Sequence, residues 1–261
     1  MPVALFASDY DGTLCRGRMI DRCTLDMVRR FRNCGGVFGI CSGRDPGTLK
    51  QELAQQKLEY DFLILMNGAR IEVDSRCIQE HFIDGWKQVL SLLRQKCLFF
   101  TVIGRDTVYH FRNALRMPVE FPAGEQAYID ALQQVYAVQN RAEDLDTAYQ
   151  ISCRTENEEN AVALAEEIGA YGLTAWPNCE YVDIVPSNIS KAQAVGVAAA
   201  YLQVPACYVY TAGDGRNDIL MLEQYHGFAM VQAEQYVRQA AAHTVSSVGE
   251  ALKQVSREAF W

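Results

Sequence analysis

Two aspartates one residue apart, Asp9 and Asp11, follow the apolar segment VALFAS (residues 3–8), which predicts a buried strand. Carboxylates this close repel each other, and their position beside a buried strand lowers the stability of a fold unless a cation compensates. Because Asp and Gly are also common turn residues, DYDGTL on its own is equally consistent with an acidic turn. The segment therefore raises the hypothesis of a metal site, which the rest of the chain has to decide.

Three further polar segments stand where strands are predicted to end or a helix to begin. They are Ser42-Gly43-Arg44, Ser190-Lys191 and GDGRND, residues 213–218. In an open parallel sheet the carboxyl ends of the strands meet at one edge, so we expect these segments and DYDGTL to form one site. Each segment alone is explained as well by a turn or a solvated helix start, whereas the four in this order favour phosphoryl transfer.

Carboxylates in two of these segments predict a divalent cation. Asp9 and Asp214 offer the oxygen ligands that Mg²⁺ prefers, and Asp218, with Asn217, is placed to orient them. A cation at this position would also explain why the two aspartates of DYDGTL tolerate each other. The sequence therefore predicts Mg²⁺ as the cofactor.

The remaining polar residues of these segments suit a bound phosphate. Gly12 and Gly43 allow backbone N–H groups to approach an anion, the Ser42 hydroxyl is a further donor, and Lys191 supplies positive charge. Asn217 is one more candidate for phosphate binding. One of the two paired carboxylates can then attack phosphorus, and the other can exchange a proton with the leaving oxygen and with water.

The two ends of the chain have the pattern of a doubly wound α/β domain. Continuous apolar runs alternate with helical segments, which is typical of a parallel sheet covered on both faces. Strands are predicted at residues 3–8, 37–42, 61–68, within 207–215, at 227–231 and at 243–246, and helices at 21–33, 46 to about 57, 190–201, through 219–222, at 233–242 and at 248–260.

The middle of the chain, roughly residues 79–187, has a different pattern. Helices are predicted from Phe82 to Lys96 and from Glu156 to Tyr171, and several of the predicted strands between them alternate apolar and polar residues. This alternation favours an antiparallel sheet with one covered face. We therefore predict an α+β domain at 79–187, inserted into an α/β core formed by 1–78 and 188–261.

Composition narrows the class of protein. The 261 residues carry 32 acidic and 24 basic side chains, a formal charge of −8, which argues against a nucleic-acid surface. No apolar run approaches the ~18 residues of a membrane helix, and the N-terminus lacks a signal-peptide pattern. Nine cysteines without C-x-x-C spacing indicate reduced thiols in a cytoplasmic protein and no zinc site. The expected partner is a small-molecule substrate, and the oligomeric state stays open.

The four segments together resemble the motifs of the haloacid dehalogenase-like phosphohydrolase superfamily. DYDGT, CSGR, Lys191 and GDGRND occur in the family's order, and the large insertion resembles its type C2 cap. NGA at 67–69 and VDIVPSNISKAQAV around Lys191 are similar to the Cof-type branch, subclass IIB. The resemblance implies a Mg²⁺-dependent phosphatase that works through an aspartyl-phosphate on a small phosphorylated metabolite, and it alone suggests a sugar phosphate.

The resemblance also implies roles for individual residues. These are Asp9 as nucleophile and metal ligand, Asp11 as general acid/base and metal ligand through its backbone carbonyl, Ser42 and Lys191 as phosphate ligands, and Asp214 and Asp218 at the metal. The carboxylate at position 11 argues against ion pumps and dehalogenases of the superfamily. Arg44 and Asn67 are candidate substrate contacts, although an ion pair explains Arg44 equally well. Ala192 replaces the usual glycine after the lysine, which a helix tolerates.

Two alternatives remain at this point. A phosphohexomutase of the same superfamily would return the phosphoryl group to another hydroxyl and would need a second phosphate site. Four arginines of the insertion could provide that site, namely Arg105, Arg112, Arg116 and Arg154. A non-catalytic regulator that binds metal or phosphate on the same fold is the other alternative, but it has little need for the complete set of motif residues.

Overall fold

The computed structural model describes residues 4–116 and 123–259, which divide into two compact units. The first unit comprises Met1–Gly43, Glu52–Glu80 and Ser190–Trp261, and the second comprises Arg44–Gln51 and His81–Ile189. The junctions lie two residues from the predicted domain boundaries. The segment 44–51, which lies in sequence within the predicted core, groups with the second unit.

Fourteen strands and nine α-helices occur in the described residues. The strands are β1 Leu5–Ser8, β2 Val37–Cys41, β3 Phe62–Leu65, β4 Arg70–Val73, β5 Arg76–Glu80, β6 Phe99–Ile103, β7 Thr107–Arg112, β8 Ala137–Gln139, β9 Gln150–Arg154, β10 Thr174–Asn178, β11 Tyr181–Val185, β12 Val209–Gly213, β13 His226–Met230 and β14 His243–Val245. The helices are α1 Arg22–Asn33, α2 Pro46–Gln56, α3 Leu90–Lys96, α4 Ala123–Val135, α5 Glu158–Gly169, α6 Lys191–Tyr201, α7 Ile219–Gln224, α8 Gln235–Ala240 and α9 Val248–Ala259.

The first unit is built on one eight-stranded sheet in the order β14-β13-β12-β1-β2-β3-β4-β5. The strands from β14 to β3 are parallel, with Leu5 of β1 paired to Val209 on one side and to Val37 on the other. This arrangement confirms the predicted doubly wound α/β class. It also places β1 in the centre of the parallel strands, between β12 and β2, so that the segments after these three strands are neighbours.

Apolar side chains cover both faces of this sheet, as continuous apolar strands require. On one face, Leu5 and Ala7 of β1 pack in a cluster with four alanines of α6. On the other, Phe6 lies between Phe38 and Phe228, with ring centroids 6.0 and 6.1 Å away. Small side chains on α6 allow the helix to approach the sheet closely, and this helix begins at Lys191.

The edge of the sheet contains a hairpin that the sequence analysis missed. Strands β4 and β5 run antiparallel to their neighbours and are joined by Asp74 and Ser75, both with positive φ (48° and 63°). A two-residue turn with both residues left-handed is the favoured connection of a β-hairpin. The predicted helix 248–260 is present as α9, and its last predicted residue lies outside the described residues.

The second unit contains a six-stranded sheet in the order β10-β11-β9-β6-β7-β8. All pairs are antiparallel except β7 with β8. One face packs on a cluster that includes residues of α3 and α5. The prediction of a single covered face is wrong, because Val108, Leu132 and Tyr136 form a second cluster under α4.

Two helical predictions for the second unit need correction. The segment from Phe82 to Lys96 is helical only from Trp86, as a 3-10 turn that leads into α3, because Gly85 is left-handed (φ 63°). Helix α4 and strand β8 were not predicted. In the described part of the chain, no helix is both long and apolar enough to cross a membrane.

All nine cysteines carry free thiols. Those of Cys15, Cys41, Cys97 and Cys153 are buried, and those of Cys23, Cys34, Cys77, Cys179 and Cys207 are exposed.

Candidate active site

Three chain segments meet at the carboxyl ends of β1, β2 and β12. Asp9 comes directly after β1 and donates its backbone N–H to the carbonyl of Ala212 on β12, at 2.8 Å. Ser42 comes directly after β2, and Asp214 comes directly after β12. The parallel register therefore brings these side chains, which lie up to about 200 residues apart in sequence, to one edge of the sheet.

A buried lysine joins two of the carboxylates. Nζ of Lys191 lies 2.7 Å from Oδ1 of Asp9 and 2.7 Å from Oδ1 of Asp218. The lysine is 1 % exposed, so the ammonium depends on these carboxylates for its charge partners. Its place is set by the start of α6, where the Ser190 side chain caps the helix by accepting the N–H of Gln193.

The loop after β12 fixes the other carboxylates. Oδ2 of Asp218 accepts the backbone N–H groups of Asp214 and Gly215 at 3.0 and 2.9 Å. Thr13 donates its hydroxyl to Oδ1 of Asp214 at 2.6 Å. Thr13 was not singled out from the sequence, although it belongs to the DYDGT segment. Its hydrogen bond links the loop after β1 to the loop after β12.

Glycine at position 12 is required by the close approach of Asp214. The residue has a positive φ of 82°, and a Cβ there would lie 2.3 Å from Oδ2 of Asp214. Its N–H donates to the carbonyl of Cys15 at 3.1 Å. The glycine therefore makes room for a carboxylate of the site, and its predicted part in phosphate binding stays a prediction.

Asp11 and Ser42 lie in the same loops with different exposure. Asp11 is exposed and forms an isolated bridge with Cys15. Ser42 is 1 % exposed, and its N–H donates to the carbonyl of Ile64 at 2.8 Å. Gly43 is the last residue of the first of three segments that form the first unit, whereas Arg44 belongs to the second unit. The exposed carboxylate of Asp11 suits a group that exchanges protons with substrate and water.

Asn217 and Asn67 contact each other. Nδ2 of Asn217 donates to Oδ1 of Asn67 at 2.9 Å. Asn67 is fully buried, at 0 % exposure, so in this structure its side chain contacts protein atoms. The pair connects the loop after β12 to the end of β3.

Burial and mutual proximity dominate the electrostatics. Burial raises the pKa of Asp9 well above its ordinary value; Lys191 opposes this, while Asp218 and Asp214 add to it. Burial also raises the pKa of Asp214, against the hydrogen bond from Thr13. Burial alone would lower the pKa of Lys191, but the carboxylates of Asp218 and Asp9 outweigh this effect and raise it, so the side chain remains an ammonium.

The carboxylates fit a divalent cation. Asp9, Asp214 and Asp218 each offer an oxygen within 4.8 Å of the other two. When all three are ionised, the single ammonium of Lys191 leaves an excess of negative charge. A hard divalent cation with a preference for oxygen matches this donor set and would offset the excess.

The chain also matches the family model of haloacid dehalogenase-like hydrolases over residues 6–251. The chain belongs to this family. The match confirms the family inferred from the motifs and the prediction that the chain is a hydrolase of this type. None of the curated proteins matches the chain in sequence.

Solved structures share the fold of this haloacid dehalogenase-like hydrolase over nearly its whole length. A protein described as a subclass IIB sugar phosphatase superposes with a TM-score of 0.81 at 20 % identity and covers 98 % of each chain. A haloacid dehalogenase-like hydrolase from B. subtilis gives 0.81 at 20 % identity over 99 % of this chain and 100 % of its own. A phosphatase from Bacteroides thetaiotaomicron gives 0.78 at 22 % identity over 98 % and 96 %.

Proposed function

We propose that the chain is a Mg²⁺-dependent phosphatase that hydrolyses a small phosphorylated metabolite through an aspartyl-phosphate intermediate. The observation that carries the proposal is the pair of ion pairs that the buried Lys191 makes with Asp9 and Asp218. Asp214 belongs to the same carboxylate cluster. In a haloacid dehalogenase-like hydrolase, this arrangement combines a nucleophile, a cation site and a fixed positive charge.

Asp9, Asp214 and Asp218 would hold the Mg²⁺, with the backbone carbonyl of Asp11 as a further candidate ligand. The ion would supply positive charge that attracts the phosphoryl oxygens and reduces repulsion between the phosphate and the carboxylates. Lys191 adds a second positive charge that is present without the metal. The Thr13 hydroxyl holds the carboxylate of Asp214 in place, and two backbone N–H groups that donate to Asp218 hold its carboxylate.

The residues of the chain account for both halves of the reaction. A carboxylate oxygen of Asp9 forms a bond to phosphorus while the bond from phosphorus to the leaving oxygen breaks, and Asp11 donates a proton to that oxygen. Water then attacks the aspartyl-phosphate, and Asp11 takes a proton from the water. The products are the alcohol and inorganic phosphate, with Asp9 and Asp11 restored.

A sugar phosphate is the proposed substrate class. This step rests on likeness of fold to a protein described as a sugar phosphatase, and on the Cof-type motifs. We further propose a small-molecule partner in the cytoplasm, with no nucleic-acid or membrane partner. The free state of all nine thiols and the net negative charge support this assignment.

Three of the four arginines that a mutase would use have contacts inside the second unit. Arg105 lies over the ring of Phe82 at 5.2 Å, and Arg154 is paired with Glu125. Arg116 lies 4.0 Å from a carboxylate oxygen of Glu156. These contacts give no specific support to a second phosphate site, so hydrolysis is the reaction we put forward.

Phosphate release from a panel of sugar phosphates and an aryl phosphate, with Mg²⁺ and with excess EDTA, tests the proposal. We expect release that requires Mg²⁺ and that disappears in Asp9→Asn. Release unaffected by EDTA would reject the metal assignment. Release only in the presence of a bisphosphate activator would identify a mutase, and no release from folded protein would favour a binding protein.

A further inference from the structure

Three consecutive residues at the end of β3 have a backbone conformation that non-glycine residues rarely adopt. Met66, Asn67 and Gly68 have φ values of 50°, 55° and 110°. Met66 and Asn67 are both fully buried. A left-handed backbone at a bulky residue costs on the order of 1–3 kcal/mol and persists only where its surroundings determine it. The contacts of this segment therefore indicate what the conformation achieves.

Asn67 makes one contact with each of two motif segments. Its backbone N–H donates to the carbonyl of Ser42 at 3.0 Å, directly after β2. Its side-chain Oδ1 accepts from Nδ2 of Asn217 at 2.9 Å, in the loop after β12. A single buried residue therefore connects two segments that the sequence analysis assigned to phosphate binding.

The bond to Asn67 sets the direction of the Asn217 amide. An amide nitrogen carries two hydrogens, and one of these is held by Oδ1 of Asn67. The other end of the amide is close to the backbone, since a Cβ at Gly215 would lie 2.7 Å from Oδ1 of Asn217. With one hydrogen fixed, the second hydrogen of Nδ2 also has a fixed direction, as a preorganised donor to an anion requires.

We propose that Asn67 is a positioning residue, which orients the Asn217 amide toward the phosphate of the substrate without touching the substrate itself. The proposal rests on the proposed phosphatase function. It differs from the sequence-based expectation of a substrate contact, because Asn67 is fully buried. It also gives a reason for the left-handed backbone, which presents the N–H to Ser42 and the side chain to Asn217 at the same time.

The variant Asn67→Gly separates the side chain from the backbone. Glycine adopts positive φ without strain, so the variant keeps the loop conformation and removes only the amide. We expect the inhibition constant of inorganic phosphate and KM to rise about tenfold, as expected for a lost buried hydrogen bond, with kcat within about threefold. Lys57→Gly is the matched control, because Lys57 is exposed and has a φ of 55°.

A double-mutant cycle tests whether Asn67 acts through Asn217. Asn217→Ala should weaken phosphate binding, and Asn67→Gly added to it should have little further effect. If the double variant raised the phosphate inhibition constant by the product of the two single effects, the positioning role would be overturned. An equal rise in both variants' KM, without any change in phosphate affinity, would also overturn it.

A measurement on the unmodified protein keeps the inference testable if the variant does not fold. Inorganic phosphate titrated into ¹⁵N-labelled protein with Mg²⁺ should shift one Nδ2 hydrogen resonance of Asn217 and leave the other nearly unchanged. Shifts of both, or of neither, would contradict the inference. A different result would reject the phosphatase proposal itself. In that case the folded protein would release phosphate from no substrate, although inorganic phosphate still shifted its resonances.

Discussion

Each unit of the molecule contains a buried carboxylate that accepts several hydrogen bonds, but the donors differ. Asp218 of the first unit, 1 % exposed, accepts two backbone N–H groups and the ammonium of Lys191. Asp45 of the second unit, at 0 % exposure, accepts two backbone N–H groups and the hydroxyls of Thr48 and Tyr136. One carboxylate belongs to a cluster of charges, and the other is held by neutral donors.

This difference separates the candidate active site from a carboxylate with a structural role. Around Lys191 the carboxylates outnumber the ammonium groups, so the cluster has an excess of negative charge when all its carboxylates are ionised, which suits a further cation. The hydrogen bonds of Asp45 are made within its own unit, where the carboxylate caps the first turn of α2 and links it to the residue after α4. Burial of a carboxylate alone therefore does not distinguish the candidate active site, whereas the imbalance of charge around it does.

The largest effect expected from this comparison is that of Asp9→Asn. The amide is a poor nucleophile, so kcat should fall by about 10⁴-fold or more while the fold persists. Phosphate release under saturating substrate, with circular dichroism as a check of folding, measures this. Asp26→Asn on the exposed surface of α1 is the matched control and should retain wild-type turnover. Substantial activity in Asp9→Asn would remove Asp9 from the role of nucleophile.

Asp45→Ala should affect stability and not chemistry. The change leaves two N–H groups and two hydroxyls without their acceptor and removes a helix cap, which together cost about 3 kcal/mol. Denaturant unfolding should show this loss, whereas kcat per folded molecule should stay within about threefold. A large loss of kcat in protein shown to be folded would break the distinction between the two carboxylates.

A partly buried histidine of the second unit predicts a pH dependence of stability. Burial lowers the pKa of His110 from 6.5 to about 4, and Nδ1 lies 2.9 Å from the Thr101 hydroxyl. As pH falls from 6.5 toward 4, the unfolded chain binds a proton that the folded chain does not, so the free energy of unfolding decreases. We expect a loss on the order of 2 kcal/mol over this range.

The difference between wild type and His110→Gln isolates this contribution. Denaturant midpoints measured between pH 4 and pH 7 should depend less on pH in the variant. His226→Gln, at an exposed position, is the control and should keep the wild-type dependence. Parallel curves for wild type and His110→Gln would show that the imidazole is not held neutral by burial.

The smallest effect is expected from Tyr136→Phe. The change removes one of the four donors to Asp45 and keeps the aromatic packing with Val108 and Leu132, so the free energy of unfolding should fall by about 1 kcal/mol. In the Asp45→Ala background the same change should cost less, because the hydrogen bond is already lost. Additive losses would show that Tyr136 contributes mainly through packing.

The proximity of the charged residues was predictable because Asp9 and Asp214 each follow a strand that the apolar pattern reveals, and Lys191 stands at the start of the predicted helix 190–201. The order of elements and the geometry of a parallel sheet then place all three at one edge of the sheet. The hairpin of β4 and β5 could also have been found, since Asp74 and Ser75 are common turn residues and stand between two short segments. The family resemblance then added roles that spacing alone left open.

The neutral contacts were not predictable in the same way. Nothing local marks Asn67 as the partner of a residue 150 positions away, or Tyr136 as a donor to Asp45, because polar side chains are also common on surfaces. The grouping of 44–51 with the second unit was not predictable for the same reason, because it depends on tertiary contacts and not on the local sequence. The start of the helical segment at Trp86 depended on one left-handed glycine.

The distribution of free thiols provides an internal reporter of unfolding. Each unit holds two buried thiols, Cys15 and Cys41 in the first and Cys97 and Cys153 in the second. An alkylating reagent reaches such groups only when the surrounding structure opens, so the rate of labelling at each pair measures the opening of one unit. After the exposed cysteines are blocked, mass spectrometry of the labelled peptides would show whether both units open in one cooperative event or separately.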